Sequence, residues 1–215
     1  MTNELANRIL VFGALLGWCA VLLVFRMYLA ASFAFAFLVW NLFLAAIPAV
    51  AARLFAGAAT RRSPAALQAT WFAVWLAFLP NAPYVITDLV HLNPAAAVPL
   101  WYDLALLSSC AGTGLLLGYT SLADVQAAIA QKYSARAGWA VAATSLLLSG
   151  FAIYLGRFLR WNSWDAFTRP LQLLADIGHQ LSDPGSSLQA IGVTLVYGTG
   201  LMLGYIALRA LRGAI

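Results

Sequence analysis

Hydrophobic residues run through this chain in long stretches, and the charged residues lie between them. The charges leave six intervals of 17 to 26 residues that contain none. A helix needs about 20 mostly apolar residues to cross the hydrocarbon core of a bilayer. The pattern therefore predicts six transmembrane helices, at residues 9–28, 33–54, 64–87, 100–123, 138–158 and 187–208. We expect an all-α fold, a polytopic membrane helix bundle that forms a single integral membrane domain over residues 1–215.

The segment at residues 166–182 has a different periodicity from the six spans. Apolar residues recur there at helical spacing, and polar residues fill the opposite face. The apolar positions are Phe167, Leu171, Leu174, Ile177 and Leu181, and the polar ones are Arg169, Gln172, Asp176, Gln180 and Asp183. This pattern is typical of a short amphipathic helix lying in the membrane interface.

The composition agrees with a membrane protein and excludes several other classes. Hydrophobic residues make up 63% of the chain and charged residues 9%, whereas a soluble domain carries about 25% charge. A soluble globular enzyme, a disordered chain and a disulfide-stapled secreted module are excluded. The basic residues sit at helix ends without a basic and aromatic surface motif, so we expect membrane lipids and no nucleic acid as partners. Cys19 and Cys110 lie in apolar spans and are predicted to be buried small hydrophobes.

Two features of the first spans need a separate interpretation. Arg8 before an apolar run resembles the start of a secretory signal, but no small-residue cleavage site follows, and Arg26 ends the run like an interfacial anchor. We therefore expect a retained first helix. Pro48 lies inside the second span and is expected to kink it only.

The distribution of charge predicts an orientation. One side carries eight basic and two acidic residues, namely Arg8, Arg53, Arg61, Arg62, Lys132, Arg136, Arg209 and Arg212 with Glu4 and Asp124. The other side carries four basic and five acidic residues, namely Arg26, Arg157, Arg160 and Arg169 with Asp88, Asp103, Asp165, Asp176 and Asp183. The more basic side is expected in the cytoplasm. The chain is therefore predicted to lie in a bacterial inner membrane with both termini cytoplasmic.

Polar residues concentrate first in the segment LPNAPYVITDLVHL at residues 79–92. The 17 residues from Ser63 to Leu79 give roughly 25 Å of helix, a little short of the ~30 Å core. The double-proline segment is thus expected to begin at membrane depth, where non-helical backbone must be shielded by protein or must line a water-filled cavity. The alternative is a kinked helix end followed by a polar loop. The candidate side chains are Asn81, Tyr84, Thr87, Asp88 and His91.

The second polar segment is IYLGRFLRWNSWD at residues 153–165. Arg157 and Arg160 are three residues apart and share a helix face. They could be snorkelling arginines next to tryptophans of an aromatic belt. Alternatively, they could pair with Asp88, Asp103 or Asp165, either in a structural ion-pair network or in a functional site, because ionisable groups at this depth are costly when unpaired.

These residue types suggest acid–base chemistry on an anionic group. Asp88, His91 and Asp103 are the candidate catalytic residues, as a carboxylate–imidazole set. A metal site is the alternative for these side chains, but this spacing is weak evidence for one and no metal is assigned; the sequence leaves any cofactor unknown. Arg157 and Arg160 could hold a phosphate or carboxylate. The remaining binding candidates are Asn81, Tyr84, Thr87, Tyr102, Trp161, Asn162 and Asp165.

Three spans contain a G-x-x-x-G pair, which lets helix backbones approach closely. The pairs are Gly13/Gly17, Gly114/Gly118 and Gly200/Gly204. Packing within the bundle is the expected use, and a homo-oligomer is the alternative.

The segments LPNAPYVITDLVHL, WYDLALLSS and IYLGRFLRWNSWD resemble the hallmark segments of the bacterial family catalogued as domain of unknown function 1361. The resemblance covers roughly residues 10 to 208. It implies a multi-pass bacterial membrane protein without an assigned activity. It also implies that the family's motifs include Asn81, Pro83, Tyr84, Asp88, His91, Tyr102, Asp103, Arg157, Arg160, Asn162 and Asp165.

Three function classes remain open at this point. The protein could be an enzyme acting on a lipid-linked or anionic periplasmic substrate. It could be a transporter or channel-like protein, which would need a second charge cluster toward the cytoplasm. No such cluster is apparent, because Asp124, Lys132 and Arg136 are assigned to one loop. It could also be a non-catalytic accessory subunit.

Overall fold

The computed structural model describes residues 2–93 and 98–214, with side chains except at 2–4, 181 and 212–214. Pro94 of the predicted loop, and the side chains of Glu4, Leu181 and Arg212, lie outside this description. The α-helices are α1 (Thr2–Ala30), α2 (Phe37–Thr60), α3 (Ala65–Phe78), α4 (Asn81–Tyr84), α5 (Leu100–Lys132), α6 (Ala135–Phe158), α7 (Asp165–Thr168), α8 (Pro170–Ser182) and α9 (Pro184–Ala214). A 3₁₀ helix, Val85–His91, follows α4.

Six helical segments of the described chain are long and apolar enough to cross a membrane, and the described residues contain no strand. The predicted fold class is therefore confirmed. The third of these segments, Ala65–His91, combines α3, α4 and the 3₁₀ helix. The boundaries of several helices differ from those expected from the uncharged intervals. The largest difference is in α5, which continues to Lys132, because Asp124 and the residues after it keep a helix-compatible sequence beyond the apolar span.

The double-proline segment breaks the third predicted helix into three pieces. Pro80 and Pro83 have no backbone N–H, so neither can donate the hydrogen bond that would continue α3. The short pieces pack on Gly114 and Gly118 of α5, where an added Cβ would come within 2.5 Å of the Ala82 carbonyl oxygen and 2.9 Å of the Ala82 Cβ. This pair of glycines is used for packing within the bundle. The irregular backbone is consequently covered by protein, as membrane depth requires.

The other glycine pairs are used differently. An added Cβ at Gly13 or Gly17 would meet nothing within 4 Å, so self-association through this face of α1 stays a prediction. The close contact between α6 and α9 involves Gly150 and Gly198, where a Cβ on Gly150 would lie 2.8 Å from the Gly198 nitrogen. Of the predicted Gly200/Gly204 pair, Gly204 packs within the bundle, since a Cβ there would lie 2.5 Å from the hydroxyl oxygen of Tyr119 on α5, whereas a Cβ on Gly200 would meet nothing within 4 Å.

The two predicted groups of charges lie at two ends of the bundle. Arg8 and Asp124 form an ion pair at 2.8 Å, and Lys132 donates to Gln68 at 2.9 Å. We call this the basic end, and it also holds Arg53, Arg61, Arg62 and Arg136. The opposite end, which we call the cavity end, holds Arg26, Asp88, Asp103, Arg157, Arg160 and Asp165.

The amphipathic segment has its polar face toward the protein and its apolar face outward. It is interrupted at Arg169, because the residue before Pro170 avoids the helical conformation. Leu171 and Leu174 of α8 are 82% and 63% exposed. In contrast, Asp176 accepts a hydrogen bond from Trp161 and Gln180 accepts one from Tyr154. This arrangement would be unfavourable in water and suits a helix whose outer face contacts lipid.

Candidate functional site

A cavity of about 420 Å³ opens at the cavity end between α2, α4, the 3₁₀ helix, α6 and the turn after α6. Its apolar walls include Phe37, Trp40, Leu44, Leu155 and Leu173. The polar side chains that line it are Asn41, Asn81, Tyr84, Asp88, His91, Arg157, Arg160, Trp161, Asn162 and Ser163. The two polar segments, more than 60 residues apart in the sequence, therefore form one site.

Asp88 is the buried carboxylate of this cavity. Its side chain is 2% exposed, and Oδ2 accepts a hydrogen bond of 2.8 Å from Asn41 Nδ2. His91 and Arg157 lie near enough to attract the carboxylate electrostatically, although neither forms an ion pair with it in the part of the chain that the structure describes. Asp88 is thus held in place by a neutral amide while the positive charges nearby remain available to a ligand.

Arg157 and Arg160 lie at the mouth of the cavity. Arg157 is half-buried and Arg160 is exposed, and neither guanidinium contacts a carboxylate among the described residues. The sequence-based pairing of these arginines with Asp88, Asp103 or Asp165 is therefore wrong for direct ion pairs. Their charges face a cavity that contains only Asp88 as an acidic lining residue.

Arg160 has an unusual backbone conformation. Its φ of 59° lies in the left-handed region, which costs a residue with a Cβ roughly 1 kcal/mol. This conformation turns the chain back after α6, so that the Trp161 N–H donates to the Leu155 carbonyl at 3.1 Å. Glycine is the usual residue at such helix ends, and strained conformations often mark functional sites. An arginine is present here at the cost of some strain.

Close contacts connect the turn after α6 to the double-proline segment. Asn81 Nδ2 donates to Ser163 Oγ at 2.7 Å and to the Phe78 carbonyl at 3.0 Å. Tyr84 packs on Gly156, where an added Cβ would lie 2.9 Å from a ring carbon of the tyrosine. A side chain at position 156 would displace the Tyr84 ring, so the contact between Tyr84 and Gly156 favours glycine there. The Asn81–Ser163 hydrogen bond and the Tyr84–Gly156 contact together fix the distance between the two segments.

Asp165 supports the turn from outside the cavity lining. It is 2% exposed, and its carboxylate accepts from the Asn162 N–H at 2.9 Å and from Arg169 at 2.7 Å. The Arg169 guanidinium, followed by the Asn162 N–H, lowers the pKa of the Asp165 carboxyl below its ordinary value. Its ionic partner is therefore Arg169, which the sequence analysis did not consider for this role.

Three other predicted residues lie away from the cavity. Asp103 forms a buried ion pair with Arg26, with 3.1 Å between Oδ1 and Nε. Tyr102 donates to the Leu22 carbonyl, and Thr87 donates to the Tyr84 carbonyl. The predicted set of Asp88, His91 and Asp103 is consequently not assembled. Asp103 has a structural role, because its charge is neutralised by an arginine of α1.

A family model described as "Protein of unknown function (DUF1361)" matches residues 40–203. The chain belongs to the DUF1361 family. The match is somewhat shorter than the expected range of 10 to 208, and it contains every polar lining residue of the cavity. It does not include α1, which supplies Arg26. No curated protein and no solved structure matches the chain.

The described residues of this DUF1361 protein contain no group of three or more His, Cys, Asp or Glu side chains that could hold a metal ion. Only Asp88 and His91 of these types line the cavity. Cys19 and Cys110 are free and buried, as predicted. The chemistry of the cavity therefore depends on two arginines, one carboxylate, one imidazole and several amide or hydroxyl groups.

Sequence reasoning assigned no role to Asn41 or Ser163, and it assigned Arg26 a role different from the one observed. Asn41 is the lone amide in its apolar span, and this isolation is the signal that could have marked it, since polar groups inside a membrane need a partner. Arg26 was interpreted as an interfacial anchor, whereas it is 6% exposed and lies 4.0 Å from the centroid of the Phe35 ring.

Proposed function

We propose that this DUF1361 protein binds and processes a lipid-linked or otherwise anionic substrate in the cavity, as an enzyme of the bacterial inner membrane. The observation that carries the proposal is the position of Arg157 and Arg160. Their two guanidinium groups lie at the mouth of a 420 Å³ cavity and have no carboxylate partner in the part of the chain that the structure describes. The fork of donors on a guanidinium suits a phosphate or a carboxylate.

Asp88 and His91 are the groups proposed to transfer protons. Asp88 is withdrawn from solvent beneath the arginines, and His91 is exposed at the rim, where its ring centroid lies 5.1 Å from that of Phe37. A carboxylate and an imidazole in one cavity can act as a general base and a general acid. Asn81, Tyr84, Trp161 and Asn162 complete the proposed binding surface.

The cavity end is proposed to face away from the cytoplasm, with both termini cytoplasmic. The greater number of basic residues at the opposite end supports this orientation. Cysteine substitutions at Asn93 and Ser163 should react with an impermeant maleimide added to intact spheroplasts, and Arg136→Cys should react only after permeabilisation. The reverse pattern would overturn the orientation.

Binding of a soluble anion tests the proposed site directly. Purified protein in detergent should bind glycerol 3-phosphate in a calorimetric titration, and Arg157→Gln and Arg160→Gln should each weaken binding by about tenfold or more. Arg136→Gln, which removes an exposed arginine at the basic end, is the matched control and should leave binding unchanged. Equal affinities in all four proteins would overturn the proposal.

A transporter or channel-like function is the second candidate, and one observation favours it. Arg8, Arg53 and Asp124 line another cavity, of about 350 Å³, between α1, α2 and α5 at the basic end. Asp124 belongs to α5 and faces Arg8, so the expectation that it lies in a loop was wrong. Uptake of labelled phosphate into proteoliposomes, lost in Arg8→Gln and in Arg157→Gln alike, would favour transport over catalysis.

A further inference from the structure

An apolar groove runs along the bundle beside the cavity. It lies between α2 and α3 and is lined by Phe43, Ala46, Ile47, Val50, Ala51, Trp71 and Val74, with a volume of about 220 Å³. All these residues are apolar. The groove therefore offers mainly hydrocarbon contacts, and the indole N–H of Trp71 is the one polar side-chain group among these residues.

The groove begins where the cavity ends. Trp40 lines the cavity and Phe43 lines the groove, and their ring centroids are 5.4 Å apart. On α3, Ala77 lines the cavity, and Val74, about one turn away, lines the groove. Helices α2 and α3 thus contribute to the wall of the cavity and also form both sides of the groove.

The length of the groove fits one leaflet of a bilayer. The groove lining on α2 runs from Phe43 to Ala51, a rise of about 12 Å at 1.5 Å per residue, which is most of one leaflet's half of the ~30 Å hydrocarbon core. The outward apolar face of α8, with Leu171 and Leu174 exposed, places the mouth of the cavity at the membrane surface. A ligand with its charged group in the cavity would consequently have the groove at the depth of its own hydrocarbon chain.

We infer that the substrate is a membrane lipid with an anionic headgroup, whose charged group binds between Arg157 and Arg160 and whose hydrocarbon chain lies in the groove between α2 and α3. This inference rests on the proposed function and narrows its substrate class. The two arginines, which pair with no carboxylate of the described chain, supply charge complementarity for the headgroup, and the adjoining apolar groove supplies a surface for the chain. A water-soluble anion would use only the cavity.

The groove contributes more to positioning than to affinity. A lipid chain is already in an apolar environment before it binds, so it gains packing contacts and no hydrophobic driving force. Blocking the groove should therefore weaken lipid binding by about five- to tenfold, as an order of magnitude for lost packing and misplacement of the headgroup. Loss of an arginine should weaken the binding of lipid and soluble anion alike.

The test compares phosphatidic acid, presented in nanodiscs, with glycerol 3-phosphate, its soluble headgroup. Ile47→Trp places a larger side chain in the groove, and Ile206→Trp, at an exposed position on α9, is the matched control. Ile47→Trp should weaken binding of phosphatidic acid and leave that of glycerol 3-phosphate unchanged, while Ile206→Trp changes neither. Arg157→Gln should weaken both.

The outcomes separate this inference from the function on which it rests. If Ile47→Trp leaves phosphatidic acid binding unchanged while Arg157→Gln loses both ligands, the inference about the groove is overturned and the anion site is kept. Unchanged binding of both ligands in Arg157→Gln and in Arg160→Gln overturns the anion site itself.

A second measurement needs no substitution. Phosphatidic acid carrying a photoreactive group near the middle of its chain should label Phe43, Ile47 or Val74 in the wild-type protein, as mapped by mass spectrometry. Excess unlabelled phosphatidic acid should suppress this labelling. Labelling spread evenly over the exposed faces of α1, α2 and α9 would overturn the inference.

Discussion

Asp88 and Asp103 lie at the same end of the bundle, are equally buried, and have opposite surroundings. Asp103 is 1% exposed and pairs with Arg26, an arginine that is itself 6% exposed. Asp88 is 2% exposed and accepts a hydrogen bond from the neutral side chain of Asn41. Both carboxylates have been removed from water, but only one has a counter-charge bonded to it.

This difference in bonded partners indicates a structural role for Asp103 and a functional role for Asp88. A buried carboxylate needs compensation for the solvation that it has lost. Asp103 receives this compensation inside the protein, so it has little left to offer a ligand. For Asp88 the nearest positive charges are directed at a cavity, so a ligand in that cavity would interact with both the carboxylate and the arginines. Four predictions test this distinction, from the largest expected effect to the smallest.

Asp103→Asn should destabilise the fold by about 3–5 kcal/mol, because it leaves the Arg26 guanidinium buried without a counter-charge. One nitrogen of that guanidinium, Nη1, already has no hydrogen-bond partner among the described residues. The measurement is the free energy of unfolding in mixed micelles. The double variant Arg26→Met/Asp103→Leu should recover much of the loss. A single variant as stable as the wild type would show that the pair is not structural.

Asp88→Asn should change the free energy of unfolding by less than about 1 kcal/mol, since an amide oxygen can still accept from Asn41. It should strengthen binding of glycerol 3-phosphate by up to about tenfold, because the only acidic group of the cavity lining no longer repels the anion. Calorimetric titration measures this gain. Weaker binding in the variant would contradict the placement of the anion beside Asp88.

Stability should fall in acid by about 1 kcal/mol as Asp165 becomes protonated, a typical net value for an intramolecular hydrogen bond. Arg169 and the Asn162 N–H lower the pKa of this carboxyl in the folded protein. Its stabilising effect is therefore complete above the unfolded pKa near 4 and is lost as the pH falls through the lower, folded value. Unfolding midpoints between pH 7 and pH 3 should show less acid sensitivity in Asp165→Asn than in the wild type. Identical pH profiles would argue against this role.

Arg160→Gly should raise the free energy of unfolding by about 0.5–1 kcal/mol, because glycine adopts the left-handed conformation without strain. The same change should abolish the contribution of Arg160 to anion binding. Arg62→Gly is a matched control, since Arg62 has a φ of 52° at the end of α2 in the basic end. It should give a similar gain in stability with unchanged binding. A loss of binding in Arg62→Gly would show that the effect is not local to the cavity.

The fold and part of the site could be predicted because both depend on patterns local in the sequence. Uncharged intervals determine which segments can cross a membrane, and the clustering of Asp88 and His91 with prolines marked one side of the cavity. The pairing of charges could not be predicted. Arg26 and Asp103 are 77 residues apart, and Asn41 and Asp88 are 47 apart. Only the packing of the helices decides which polar groups meet.

The orientation of α8 gives the bilayer a part in the architecture of the site. Leu173 forms part of the cavity wall, and Asp176 holds the Trp161 ring by a hydrogen bond, while Leu171 and Leu174 face outward. One wall of the cavity is thus held between protein on one side and lipid on the other. We therefore expect the dimensions of the cavity, and with them ligand binding, to depend on the thickness and lipid composition of the surrounding membrane.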